Sequence, residues 1–79
     1  MHGASFRWNE WNIGHAQKYG CSIGEIEAVV LRHKPGRKIG DDKLMVVGRG
    51  RGGRWIRVIY LIDDVDGRFY VIHAMPVKR

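Results

Sequence analysis

His15 and Lys18 lie three residues apart with Tyr19 alongside, a spacing that puts all three on neighbouring stripes of one helix. Metal-free RNA cleavage needs a base for the ribose 2′-hydroxyl, a cation for the charged phosphorane and an acid for the leaving oxygen. His, Lys, Arg and Tyr side chains can fill those roles. The plainer reading is an exposed helix face whose histidine packs on Trp11. Tyr60 and His73 form a second pair of candidates, in later segments that read as strands. Hairpin parity puts them on one sheet face, which suits either a core pair or a second acid/base pair.

The segments that must position these residues follow from periodicity. Ser5 to Trp8 alternates weakly, as a short strand does. A first helix is predicted from Glu10 to Tyr19, with Asn9 as N-cap and Gly20 beyond its end. Ser22 and Glu25 have capping-box spacing, and Ile23, Ile26, Val29 and Val30 give a second helix an apolar stripe ending near Arg32, before Pro35-Gly36. Lys34 to Asp42 reads as a polar, basic loop. Lys43–Gly48, Trp55–Ile62 and Arg68–Ala74 are rich in Val, Ile, Tyr and Phe and read as a three-stranded antiparallel meander. The fold class is α+β.

The last hairpin turns at Asp66-Gly67 with a two- or four-residue loop. Either loop groups Ile56, Val58, Tyr60 and Ile62 with Phe69, Val71 and His73 on one face. The other face carries Trp55, Arg57, Ile59 and Leu61 with Tyr70, Ile72 and Ala74. Two short helices do not readily cover both. Trp55, Arg57 and Tyr70 therefore mark a candidate partner face, unless the helices and the N-terminal strand divide between the two sides.

The chain has 79 residues, room for a single domain spanning 1–79, and a formal charge of +6. Of its fourteen Lys and Arg, eight fall between Arg32 and Arg54, opposed there only by Asp41 and Asp42. Such a basic sector favours a polyanionic partner. Within it, Arg37, Lys38, Lys43, Arg49, Arg51 and Arg54 are candidate nucleic-acid contacts.

Gly48-Arg49-Gly50-Arg51-Gly52-Gly53 matches G-x-G-x-x-G in letters only, because a strand and not a helix follows. It reads either as a flexible hairpin loop or as one that brings arginine forks and bare backbone to phosphates. Asp63, Asp64 and Asp66 sit where a hairpin needs turn-formers, and the four histidines and one cysteine lack zinc spacing, so no metal or cofactor is expected. Cys21 cannot form an internal disulfide and reads as a small core residue. Trp8, Trp11 and Trp55 suit either a core or base stacking. With no long apolar run and no signal pattern, no membrane association is expected, and the default location is the cytoplasm.

Trp8-Asn9-Glu10-Trp11-Asn12, His15, Lys18-Tyr19-Gly20-Cys21-Ser22 and Glu25-Ile26-Glu27 resemble the N-terminal signature of the BrnT-type toxin family. Val46-Val47-Gly48-Arg49, Gly53-Arg54, Ile56 to Tyr60 and Tyr70 to Ala74 resemble its closing strands. The resemblance implies a RelE-like fold and a type II toxin–antitoxin ribonuclease toxin acting on RNA or the ribosome. It further implies a cognate antitoxin protein, operator DNA bound as a complex, and a homodimer as one assembly. Three features depart from the family pattern. Tyr19 replaces a histidine, Met75 replaces an arginine, and the sequence ends at Arg79 without the family's C-terminal helix, which is expected to leave a surface for another molecule to cover. Loss of the arginine makes a non-catalytic nucleic-acid-binding or protein-interaction homologue the alternative expectation.

Overall fold

A computed structural model describes residues 6–78. Two helices, α1 (Glu10–Ala16) and α2 (Ile23–His33), precede four strands: β1 (Arg37–Lys38), β2 (Leu44–Arg49), β3 (Trp55–Ile62) and β4 (Phe69–Pro76). The strands form one antiparallel sheet in chain order. The α+β class therefore holds, but the element list changes. The expected basic loop contains β1, whose Arg37 and Lys38 pair with Met45 and Leu44. The expected N-terminal strand reduces, among the described residues, to a single parallel bridge from Phe6 to Phe69; Ser5 lies outside them.

Both helices start where their side chains dictate. Asn9 and Asn12 cap α1 reciprocally, and Ser22 and Glu25 do the same for α2, so two orphan backbone N–H groups at each start find acceptors. α1 stops at Ala16, three residues short of its expected end. Beyond it Lys18 N–H reaches back only to His15 O and Gly20 N–H to Gln17 O, so the chain tightens into turns. Gly20, at φ +87°, then reverses it toward α2.

α2 lays Ile26, Val29 and Val30 on one face of the sheet against Val46, Ile56, Val58, Tyr60, Val71 and Ala74, all buried. Each large aliphatic side chain so removed from water contributes about 1.5–3 kcal/mol. Phe6 closes this core against Phe69, whose ring meets Tyr60 edge-on. α1 runs along β4 and contributes buried Asn12 and Ala16. Asn12 is satisfied by donating to Arg7 O at 3.0 Å.

The β3–β4 hairpin uses the four-residue loop, with Asp63 N–H donating to Arg68 O. Its parity lasts only as far as Tyr60↔Val71. Ile59 then pairs with His73, leaving Ile72 as the extra residue of a β-bulge. The expected face assignment is corrected from that point onward. Ala74 turns into the core opposite Val58, whereas His73 and Met75 join Ile59 and Arg57 on the outer face. Tyr60 and His73 consequently lie on opposite sides of the sheet.

This register makes a mutational test. Ala74→Leu should overpack the core and cost ~1–3 kcal/mol, a fall in Tm of roughly 5–20 °C. His73→Leu should shift Tm by only a few degrees. Thermal melts of the two variants check it, and the reverse ranking would contradict the bulge.

Candidate nucleic-acid interface and histidine cluster

Directly opposed residues of antiparallel strands share a face, so the register defines the outer surface rung by rung. Arg49 stands beside Trp55. Val47, Arg57 and Met75 form the next rung, and Arg37, Met45, Ile59 and His73 the one after. Leu61 and Tyr70 follow. No strand contains an Asp or Glu, so three arginines and a histidine share this face without a carboxylate among them. Arg37 and His73 are separated by three strand spacings, roughly 14 Å.

At the β4 edge the residues after α1 reach onto the same face. The Tyr19 ring meets the His73 ring edge-on, with centroids 5.7 Å apart, and Lys18 Nζ lies 5.6 Å from the centre of the Tyr19 ring. Burial lowers the His73 pKa below its ordinary 6.5, and the charges of Arg57 and Lys18 lower it further. The imidazole is thus held neutral between two cations. Arg57 sends Nη2 to the Met75 sulfur at 3.1 Å, and its buried Nε has no partner. A thioether is a weak acceptor, so this guanidinium retains most of its capacity for an anion.

The other acid/base candidates separate. Tyr60 is completely buried on the core side and donates its hydroxyl to Pro35 O, with its pKa raised by burial. It plays no part in the outer cluster. His15 is exposed, stacks on Trp11 with centroids 3.7 Å apart, and uses Nδ1 toward Trp11 O at 2.8 Å. Because that carbonyl only accepts, Nδ1 carries the proton in this hydrogen bond. Lys18 lines an open hollow with His15 and lies over the Tyr19 ring, which meets His73.

The loop arginines divide three ways. Arg49 places its guanidinium 5.9 Å from the Trp55 ring centre, on the outer face. Arg51 points to the opposite side, lining a hollow with Gly24, Glu27 and Arg32 of α2. Arg54 is committed within the fold: its Nε and Nη2 each donate to a Glu25 carboxylate oxygen at 3.0 Å, and Nη2 also donates to Gly20 O at 2.7 Å. Arg54, expected as a phosphate contact, thus already has internal partners in Glu25 and Gly20. Arg37, Lys38, Lys43, Arg49 and Arg51 are exposed and form no ion pair among the described residues.

The candidate partner face is also redistributed. Trp55 and Tyr70 lie six residues apart along the sheet, roughly 20 Å, with Arg57 between them. Tyr70 is engaged by Arg7 over its ring at 4.4 Å, by Trp11 stacked at 6.4 Å, and through its hydroxyl, which donates to Asn9 Oδ1. Trp11, which suited either a core or base stacking, is 52% exposed and carries His15 stacked on it. Asp63 accepts from Val65, Asp66 and Arg7, and Asp66 from Arg68, as turn-formers do. No group of three metal-ligating side chains occurs among the described residues, and no helix among them is long and apolar enough to cross a membrane. Cys21 is buried, with its thiol pKa raised by burial.

Compared with protein-family models, curated proteins and solved structures, the chain matches none.

Two titrations should be separable in the stability–pH profile. The unfolded chain protonates His73 before the folded one does, so this group's stability is complete above about pH 6.5 and is lost as pH falls toward the depressed folded value. Glu25, lowered chiefly by its hydrogen bonds from Arg54, has its stability complete above its ordinary 4.5 and loses it as pH falls below that value. His73→Gln should flatten only the upper window. Glu25→Ala should flatten the lower one and cost ~1–2 kcal/mol, roughly 5–15 °C in Tm, through the lost cap. Denaturant melts at pH steps from 2 to 8 check both.

Proposed function

We propose that the chain is a toxin-like, cytoplasmic RNA-binding protein with a RelE-like arrangement, whose outer sheet face holds RNA and whose His73 cluster cleaves it. One observation carries the reading. The His73 imidazole meets the Tyr19 phenol ring, its pKa is lowered by burial and by the charges of Arg57 and Lys18, and it stands on strands that contain no carboxylate. On this reading His73 takes the proton from a ribose 2′-hydroxyl, and the 2′-oxygen attacks the adjacent phosphorus. Arg57 and Lys18 balance the charge of the phosphorane. Tyr19 donates its proton to the leaving 5′-oxygen, giving a 2′,3′-cyclic phosphate and a free 5′-hydroxyl. Arg49 and Arg37 hold flanking phosphates.

The BrnT-type resemblance supports the same reading and brings to it a cognate antitoxin protein, with operator DNA as a target of the pair. A second reading has its own observation. Met75 stands where the resemblance expects an arginine and instead occupies the Arg57 guanidinium. With one cation fewer, the same face would bind RNA without cleaving it.

Incubation of the purified protein with a labelled RNA oligonucleotide separates the two. Cleavage should give cyclic-phosphate ends, and His73→Gln should lower kcat by about 10²-fold or more while leaving binding within a few-fold. Arg49→Ala should weaken binding and reduce its salt dependence without changing Tm. Intact RNA at every protein concentration, with binding retained, selects the non-catalytic reading. Absence of binding at low salt rejects both.

A further inference from the structure

The exposed side of α1 carries a hollow that shares only Lys18 with the proposed cleavage chemistry. It has a volume of about 300 Å³ and is lined by Glu10, Trp11, Gly14, His15 and Lys18. We propose that this hollow is a nucleobase subsite that selects guanine in the nucleotide immediately 5′ of the scissile phosphate. The proposal rests on the RNA reading above and adds its base specificity.

Four features of the hollow fit a flat, polar ring. Gly14 supplies a bare floor, since a Cβ built there would meet nothing within 4 Å. Trp11 and His15 form a wall of stacked rings inclined by only 21°, and Tyr70 extends the stack behind Trp11 at 13°. A base laid against His15 continues this stack, the usual way proteins hold unpaired bases. Glu10 is exposed and makes no ion pair among the described residues. Its two carboxylate oxygens can accept together from the N1–H and N2–H groups of guanine, a donor pair that adenine, cytosine and uracil do not present.

Lys18 fixes the direction. It lines the hollow and lies over the Tyr19 ring, which in turn meets the His73 ring, so a phosphate held there is the one attached to the bound nucleoside. The 2′-hydroxyl of that nucleoside is then the group delivered to His73. Guanine recognition and cleavage would be joined through one lysine. The hollow lies in the Glu10–Lys18 stretch, outside the basic sector between Arg32 and Arg54, so net charge does not reveal it.

The test needs no turnover. The probes are guanosine 3′-monophosphate and adenosine 3′-monophosphate, titrated into the full chain and followed by amide chemical shifts. The guanosine nucleotide should bind at least about tenfold tighter, with shifts at Trp11, Gly14 and His15. Glu10→Gln should bring the two affinities together. Gly14→Ala should raise Tm, because alanine favours a helix, and yet weaken guanosine nucleotide binding by filling the floor. That opposite movement of stability and affinity distinguishes a subsite from a folding effect. Equal affinities of the two nucleotides, or shifts confined to the sheet, would overturn guanine selection. RNA cleavage that persists without base preference would do the same while leaving the His73 mechanism standing.

Discussion

The pairing of Glu25 with Arg54 sets the geometry on which the rest of the molecule depends. One carboxylate closes the capping box of α2 by accepting from Ser22 N–H and takes both hydrogen bonds from the guanidinium. The same guanidinium reaches Gly20 O in the turn before α2. The β2–β3 loop folds down over this centre, with Gly50 close enough that a side chain there would press on Glu25 and Gly52 within ordinary contact of its carboxylate. Three elements distant in sequence are thereby tied at one point. The functional consequence is direct, because Lys18-Tyr19 immediately precede Gly20 and Arg54 opens the strand that carries Arg57. The link that joins helix to sheet also brings the two halves of the proposed site together.

That link explains why net charge is a poor guide to this surface. The sequence concentrates its +6 between Arg32 and Arg54, but the fold disperses those side chains. Arg37 and Arg49 face outward from the sheet, Arg32 and Arg51 line the α2 side, and Arg54 is consumed by Glu25. Arg57, the cation nearest the histidine's own strand pair, comes from outside the sector. A count of charges along a chain says how many cations exist and nothing of which ones the fold retains for itself.

Much of the architecture was legible from local signals. Both N-caps, the capping box of α2, the bounds of β3 and the place of the last hairpin follow from residue types a few positions apart, where the energies involved are local; the choice of a four-residue over a two-residue loop does not. Two features were not legible, for one reason. β1 is only two residues long and forms because β2 offers it an edge, and the Ile72 bulge puts Ala74 in the core, on the strand that α1 runs along, and His73 outside it. Both depend on tertiary packing, which short-range periodicity does not encode. The bulge matters more, since side chains alternate with a period of two and one extra residue reverses every later assignment. Parity therefore placed His73 with Tyr60, and the true neighbour, Tyr19, comes from a turn that no strand pattern could bring into view.

The electrostatics of the outer cluster bear on how the proposed site would respond to an anion. Among the described residues, the buried Nε of Arg57 has no acceptor and its Nη2 meets a sulfur in place of an oxygen. Desolvating a guanidinium this way is unfavourable, and an anion that satisfied it would recover the loss. The two cations that would receive the phosphate are also the two that depress His73. A bound phosphate offsets their charge at the imidazole, so its pKa must rise on binding. On the proposed reading, the histidine would therefore become a stronger base as a phosphate binds. Met75, a weak acceptor, would hold the guanidinium in position without competing with that phosphate.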